Sequence, residues 1–194
     1  MAAGAGIRMD TIATIDRMRD HEHHLDNGQI RLRFLRTAAD TGGELLEMEA
    51  IYRPVSKAPP AHFHPAQEET FEVLSGALRF VIDGRQIDLG AGEQLVIPAG
   101  TIHRAHNAGT EEARVIWQTR PALRSQQFYE TLYGLAMDGR TNADGVPGLL
   151  QVALIMTGHA GEFVLASPPR IIQKALFGML AAIARTLGKG RIDN

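Results

Sequence analysis

The stretch HFHPAQEETFEVLSG, residues 62–76, decides how this chain is read. Two histidines at i and i+2 on a strand project from the same face, so the imidazoles of His62 and His64 converge on one point. Pro65 and the polar residues after it make a turn, and the chain re-enters a strand near Glu69. In that strand Glu69, Phe71 and Val73 share one face, while Thr70, Glu72 and Leu74 share the other. With the first face inward, Glu69 brings a carboxylate to the two histidines, and Phe71 and Val73 wall the pocket. Glu68 then points the opposite way.

The second informative stretch is GEQLVIPAGTIHRAHN, residues 92–107. Leu95–Ile97 reads as a strand, Pro98–Gly100 as a tight turn, and His103 opens the next strand. A ligand from this neighbouring strand completes a set of three imidazoles and one carboxylate. Such a set suits one divalent transition metal (Fe, Mn, Ni, Cu, Co or Zn) and leaves coordination positions free. His106, three residues further on, faces away and reads as a rim or surface group.

Around these stretches the chain divides into three zones. Residues 1–27 form a polar lead-in whose His21, His23 and His24 read as a solvated patch. Residues 28–120 are short β-compatible runs at Gln29–Leu35, Leu45–Tyr52, His62–His64, Phe71–Leu74, Leu78–Ile82, Arg85–Leu89, Leu95–Ile97 and Arg114–Thr119, separated by turn signals. Asp83–Gly84 between two of them is a two-residue hairpin pattern, because glycine accepts the positive φ such a turn requires. Many short strands at close spacing predict a sandwich or barrel rather than βαβ units. Tyr52, Phe80 and Trp117 lie in these strands and, with Phe71 and Val73, are candidates for lining a substrate pocket. Arg31 and Arg33 read as a solvated strand face.

Residues 121–194 change character and predict a helical extension packed on the barrel or on a second subunit. Ser125–Met137 is amphipathic and ends at Asp138–Gly139. A helical run is expected from Leu149 to about Ala166. Ser167 before Pro168 and Pro169 has the pattern of an N-cap with proline in the first turn. In the last helix Ile172, Leu176, Met179, Leu180, Ile183 and Leu187 form one apolar stripe, expected to face the core, with Gly188 as C-terminal cap.

The chain has 194 residues, a formal net charge of −2 and no cysteine. The near-neutral balance gives no electrostatic footprint for nucleic acid or an anionic membrane. The missing cysteines exclude disulfides, thiolate metal sites and a cysteine nucleophile. MAAGAGIRMDTIATIDRMRD at the start lacks the apolar core of a secretory signal, so a cytoplasmic location is expected. Both late apolar stretches carry polar groups, Gln151, His159 and Glu162 in one and Gln173, Lys174 and Arg185 in the other, which argues against a membrane span.

The two histidine-bearing stretches resemble the two signature motifs of the cupin superfamily. The first runs glycine, five residues, His-x-His, three or four residues, Glu, six residues, glycine. His62, His64, Glu69 and Gly76 fit its four-residue variant, with Ser56 where the leading glycine stands. The second runs glycine, five residues, Pro-x-Gly, two residues, His, three residues, Asn. Gly92, Pro98, Gly100, His103 and Asn107 fit every position. Fifteen residues separate Gly76 from Gly92, a short spacing found in many microbial single-domain cupins. The resemblance implies an all-β double-stranded β-helix, a jelly-roll barrel with the metal inside, here with a C-terminal α-helical extension. It further implies a homodimer, the usual assembly of such barrels.

The expected function is a small metal-dependent enzyme of oxygenase type acting on an apolar or aromatic molecule, as similar bacterial cupins modify polyketides and flavonoids. Glu69 is the candidate catalytic group, leaving the metal to accept a proton. Two other readings are a cupin that binds a small ligand without turnover and a Zn-type isomerase or lyase. The tail has no helix-turn-helix pattern of a transcription factor.

Overall fold

Period-two alternation decides which residues bury in the first two-thirds of the chain. In the computed structural model, which describes residues 24–188, ten strands precede the first helix. They are β1 (Leu25–Asp26), β2 (Ile30–Arg36), β3 (Leu46–Tyr52), β4 (His62–Phe63), β5 (Glu68–Ser75), β6 (Ala77–Ile82), β7 (Arg85–Gly90), β8 (Gln94–Ile97), β9 (His103–His106) and β10 (Ala113–Arg120). Helix α1 (Ser125–Met137), helix α2 (Leu149–Gly158), a two-residue strand β11 (Val164–Leu165) and helix α3 (Arg170–Thr186) follow. All pairings are antiparallel and build two sheets, ordered β1-β2-β3-β10-β5-β8 and β11-β4-β9-β6-β7.

The register aligns the inward residues across strands. Met48 on β3 lies opposite Trp117 on β10, and Trp117 lies opposite Phe71 on β5. The two sheets meet through a single core in which Leu32, Met48, Phe71, Val73, Phe80 and Val115 are all fully buried. Phe71 and Phe80, from opposite sheets, meet edge to face at 5.1 Å, a geometry that aromatic quadrupoles favour. Each such ring removes a large apolar area from water, worth roughly 1.5–3 kcal/mol of burial free energy.

The turns follow from residue chemistry. Asp83 and Gly84 both take positive φ, +47° and +82°, and Ile82 pairs with Arg85 across them; this is the primed hairpin turn the sequence predicts. Gly76 has φ +73°, and a Cβ added there would lie 2.5 Å from the Glu112 carbonyl oxygen and 2.8 Å from Ala113 Cα. Only glycine fits where β5 turns into β6 against the start of β10.

The outer face of the larger sheet carries one buried charge. Glu49 is ion-paired with Arg33 at 2.5 Å and with Arg114. Burial alone would raise its carboxyl pKa, but the two guanidinium groups hold it below the usual range. Arg31 meets Asp26 at 3.9 Å, so Arg31 and Arg33 of β2 are both engaged on this outer face.

The extension departs from its sequence reading in three places. The helical run from Leu149 stops at Gly158, with His159 as its C-cap, and does not reach Ala166. Phe163–Leu165 is an aromatic and β-branched run bounded by Gly161 and Pro168, and β11 forms there by pairing with β4. Ser167 does not cap α3: the N-cap is Pro169, and its carbonyl accepts from the Ile172 and Gln173 amides. The apolar stripe of α3 faces outward. Ile172, Met179, Ile183 and Leu187 are 43–62% exposed, while Gln173, Phe177, Ala181 and Ala184 bury. The small alanines let α3 approach α2 closely, and Gln173 spends its amide on the Leu165 and Pro168 carbonyls. Among the described residues no helix is long and apolar enough to cross a membrane. Of the histidine-rich lead-in, His21 and His23 lie outside the described residues.

Candidate metal centre

His62 stands on β4, His103 directly opposite it on β9, and His64 just past β4. All three are buried, and their ligand nitrogens lie within 4.8 Å of one another. Ring centroids are 5.2 Å apart for His62 and His64, 4.6 Å for His62 and His103, and 5.3 Å for His64 and His103.

The orientation of each ring is set by a backbone carbonyl. His62 Nδ1 lies 2.9 Å from the Pro60 oxygen, His64 Nδ1 2.5 Å from the Glu162 oxygen, and His103 Nδ1 3.0 Å from the Thr101 oxygen. A carbonyl only accepts, so each Nδ1 carries the hydrogen and each Nε2 keeps its lone pair in the neutral ring. Carbonyl-anchored imidazoles of this kind recur where histidines ligate metal.

Glu69 reaches the cluster from β5 and is almost completely buried, whereas Glu68 is exposed. Its Oε2 lies 2.8 Å from His103 Nε2 and 3.2 Å from His64 Nε2, while its Oε1 accepts a hydrogen bond from Trp117 Nε1 at 2.9 Å. Despite their closeness, Glu69 Oε2 and His64 Nε2 have no partner in hydrogen-bond geometry. Two buried polar atoms that converge without bonding are costly unless a third party satisfies both, and a cation fits that need.

Charge and burial pull in opposite directions here. Burial pushes His62 down to about 3, with the His103 and His64 rings adding to it. Burial would lower His64 too, but the Glu69 carboxylate outweighs it and raises His64 above its ordinary value. Burial would raise Glu69, yet the His64 and His103 rings hold it well below the carboxylate range.

The remaining sequence candidates occupy the core around this cluster. Phe71, Val73 and Phe80 are sealed inside the barrel, Trp117 stacks on Phe71 at 5.2 Å, and Tyr52 is buried nearby. Burial raises the Tyr52 hydroxyl, and the Glu69 charge raises it further. His106 is half-buried and pairs in register with Arg79, away from the cluster.

Several contributors lie outside the four candidate ligands. Phe163, next to β11, stacks on His62 at 4.3 Å and also against Phe128 of α1 at 5.1 Å. Glu162 gives its carbonyl to His64, while its carboxylate lies 3.3 Å from the Arg124 amide at the start of α1. Gln67, inside the first motif, donates to the Pro121 and Ala122 carbonyls and to Ser125 Oγ, tying the β4–β5 turn to α1. Ser56, at the position of the motif's leading glycine, accepts from the Asn107 amide at 2.9 Å, and Asn107 bonds onward to the Tyr52 and Glu111 carbonyls. The Phe163–Leu165 run was the one signal that could have brought Phe163 to notice.

Comparison with models of protein families agrees with this architecture. A family model described as a cupin domain matches residues 48–119. The polyketide synthase CurC of Streptomyces cyaneus is 39% identical over 72 residues, covering 37% of this chain and 46% of that protein. The probable oxidoreductase yanE of Aspergillus niger is 30% identical over 139 residues, covering 66% and 52%. The chain thus spans about half the length of these curated relatives. Among solved structures, KdgF from a Halomonas species is similar with a TM-score of 0.48 and 18% identity, over 55% of this chain and 94% of that one. The family match falls on the antiparallel barrel that holds both histidine motifs, so residues 48–119 of this chain form a cupin domain.

Proposed function

We propose that this protein is a small metal-dependent enzyme of oxidative type, holding one divalent transition metal with His62, His64, His103 and Glu69 and acting on an apolar or aromatic small molecule. The observation that carries the metal is the carbonyl anchoring of all three imidazoles, which leaves three lone pairs facing one another beside a carboxylate. The oxidative part draws support from relatives named as oxidoreductases.

When bound, the ion would supply Lewis acidity and, if redox-active, a route for electrons. The chain's own groups do the rest. Trp117 fixes one oxygen of Glu69, so that the other is presented to the cluster. Phe163 and the interior rings of Phe71 and Trp117 exclude water, which strengthens every charge interaction inside. For Glu69 to take up a proton, it must first be freed from the imidazoles that hold it ionised. Glu69→Gln tests this role: retained metal with turnover lost assigns the proton to Glu69, and retained metal with full turnover removes that assignment.

The assembly proposed with it is a homodimer in the cytoplasm. Six large side chains on the outer face of α3, Ile171, Ile172, Leu176, Met179, Ile183 and Leu187, are exposed. They offer on the order of 600 Å² of apolar surface, against roughly 800 Å² per partner in a standard interface. A dimeric mass by light scattering is expected, and a monomeric one at micromolar concentration overturns it.

The deciding experiment is elemental analysis of protein purified without added metal, followed by oxygen uptake on catechols, diketones and flavonols. Bound redox-active metal with oxygen consumption is the expected result. A preparation that stays ion-free under saturating supply overturns the metal centre. Loaded protein that consumes no oxygen with the whole panel overturns the oxidative reading.

A further inference from the structure

Phe163 touches two places at once. Its ring stacks on His62, and the same residue lines a cavity of about 140 Å³ between α2, the turn before β11 and the first turns of α3. Met156, Val164 and Phe177 form the other apolar walls, and Arg170 and Lys174 stand at the side with no carboxylate among the lining residues. Neither cation is paired with a carboxylate among the described residues. Arg170 makes one long contact, 3.4 Å to the Ala160 carbonyl. The N-terminal turn of α3 adds its partial positive charge on the same side.

An apolar space with a few convergent polar groups is the usual form of a small-molecule site. A volume near 150 Å³ accommodates roughly one benzene ring, and two unpaired cations beside it select for negative charge. The geometry points to this cavity as the entrance subsite for substrate, taking a single aromatic or similarly compact apolar group that bears a carboxylate or another anionic substituent. Phe163 is the partition between it and the three histidines. The subsite stands on its own observations; only passage beyond Phe163 rests on the metal-centre reading. Phe163 is thus a positioning residue, whose ring both braces His62 and closes the way inward.

Benzoate and the neutral benzamide, titrated by calorimetry into the full-length protein, test the subsite with no ion required. Benzoate is expected to bind more tightly, and the double variant R170E/K174E to weaken benzoate about 10-fold or more while changing benzamide less than about 2-fold. Equal loss of both ligands, or no loss of benzoate, overturns the proposal. The partition is tested with Mn²⁺-loaded protein, by the paramagnetic relaxation of benzoate protons. Phe163→Ala is expected to enhance relaxation several-fold over the wild type, and Phe163→Leu, which keeps the wall filled, to do so less. Relaxation unchanged in a folded Phe163→Ala protein that has taken up Mn²⁺ overturns the partition. Failure to take up Mn²⁺ at all strikes the metal-centre reading and leaves the calorimetric comparison to decide the subsite.

Discussion

Along β10 the residues that bury, Ala113, Val115, Trp117 and Thr119, are every second one, and they face the same core as the inward residues of β3 and β5. Along α3 the residues that bury are Gln173, Phe177, Ala181 and Ala184, while Ile171, Ile172, Leu176, Met179 and Ile183 are exposed. In a sheet, burial on one face fixes the register, since a slip of one residue would turn every core side chain to water. A helix has no such constraint: it can pack its small residues inward and offer a second apolar face to something else. The barrel therefore buries its apolar faces within the chain, whereas the extension leaves one apolar face exposed.

That contrast is open to measurement. The largest effect should come from acid on metal-free protein. Held neutral down to about 3 by burial and its neighbouring rings, His62 would take its proton near 6.5 once unfolded. Between those values the unfolded state binds more protons, so stability falls as pH falls, by up to about 5 kcal/mol for a group shifted this far. Glu49 and Glu69, both lowered from 4.5, act with the same sign below that value. His64, raised by Glu69, has the opposite sign above 6.5 and contributes no slope below it. All these groups belong to barrel strands or their turns, so denaturation followed by Trp117 fluorescence should lose its midpoint steeply between pH 6 and pH 3. A flat profile would break the claim that acid attacks the barrel.

Truncation in the two cores comes next. Phe80→Ala, inside the closed barrel, should cost about 3–5 kcal/mol, and Phe177→Ala, in the small cluster between α2 and α3, nearer to 2 kcal/mol. Equal losses in chemical denaturation would place both cores on the same footing. His103→Ala should lower metal affinity by at least ~100-fold, or roughly 2.7 kcal/mol, in a competition titration, whereas removing Phe163 should lower it far less. Gly76→Ala should cost about 2 kcal/mol or more, from its left-handed φ and the clash with Glu112 and Ala113. The smallest effect belongs to the outer face of α3. Ile183→Ser should leave monomer stability within about 0.5 kcal/mol, while lowering the fraction of dimer in light scattering. A loss like that of Phe177→Ala would show that this face already packs against the chain itself.

How much was legible differs between the same two regions. Each of the eight strand runs between Gln29 and Thr119 has a strand in it, because alternation of side-chain character maps directly onto the two sides of a sheet. The spacing that singled out His62, His64, Glu69 and His103 describes side chains that do come together, because strand pairing and a tight turn leave the chain few alternatives. Periodicity also placed α1 with its actual ends. It failed on α3 for a physical reason: a stripe reports that a face is apolar, and nothing in it says what the face meets. It failed on β11 because two residues are too few to show a period. The parts of Glu162 and Phe163 depend on the tail folding back across about 100 positions of chain, a contact that no local pattern encodes; the Phe163–Leu165 run marks a short strand but not what that strand meets.

The pairing of β11 with β4 has a further consequence. β4 is two residues long, carries His62, and is hydrogen-bonded on one side to β9 and on the other to β11. The Ala166 amide extends the seam to the Ala61 carbonyl. Were the tail cut away, β4 would become a bare margin of the sheet, with unsatisfied amides and carbonyls beside the histidine cluster, open to pairing with any passing strand. The tail thus acts as a hem: it keeps the barrel from fraying and from sticking to its neighbours at the place where the three histidines meet.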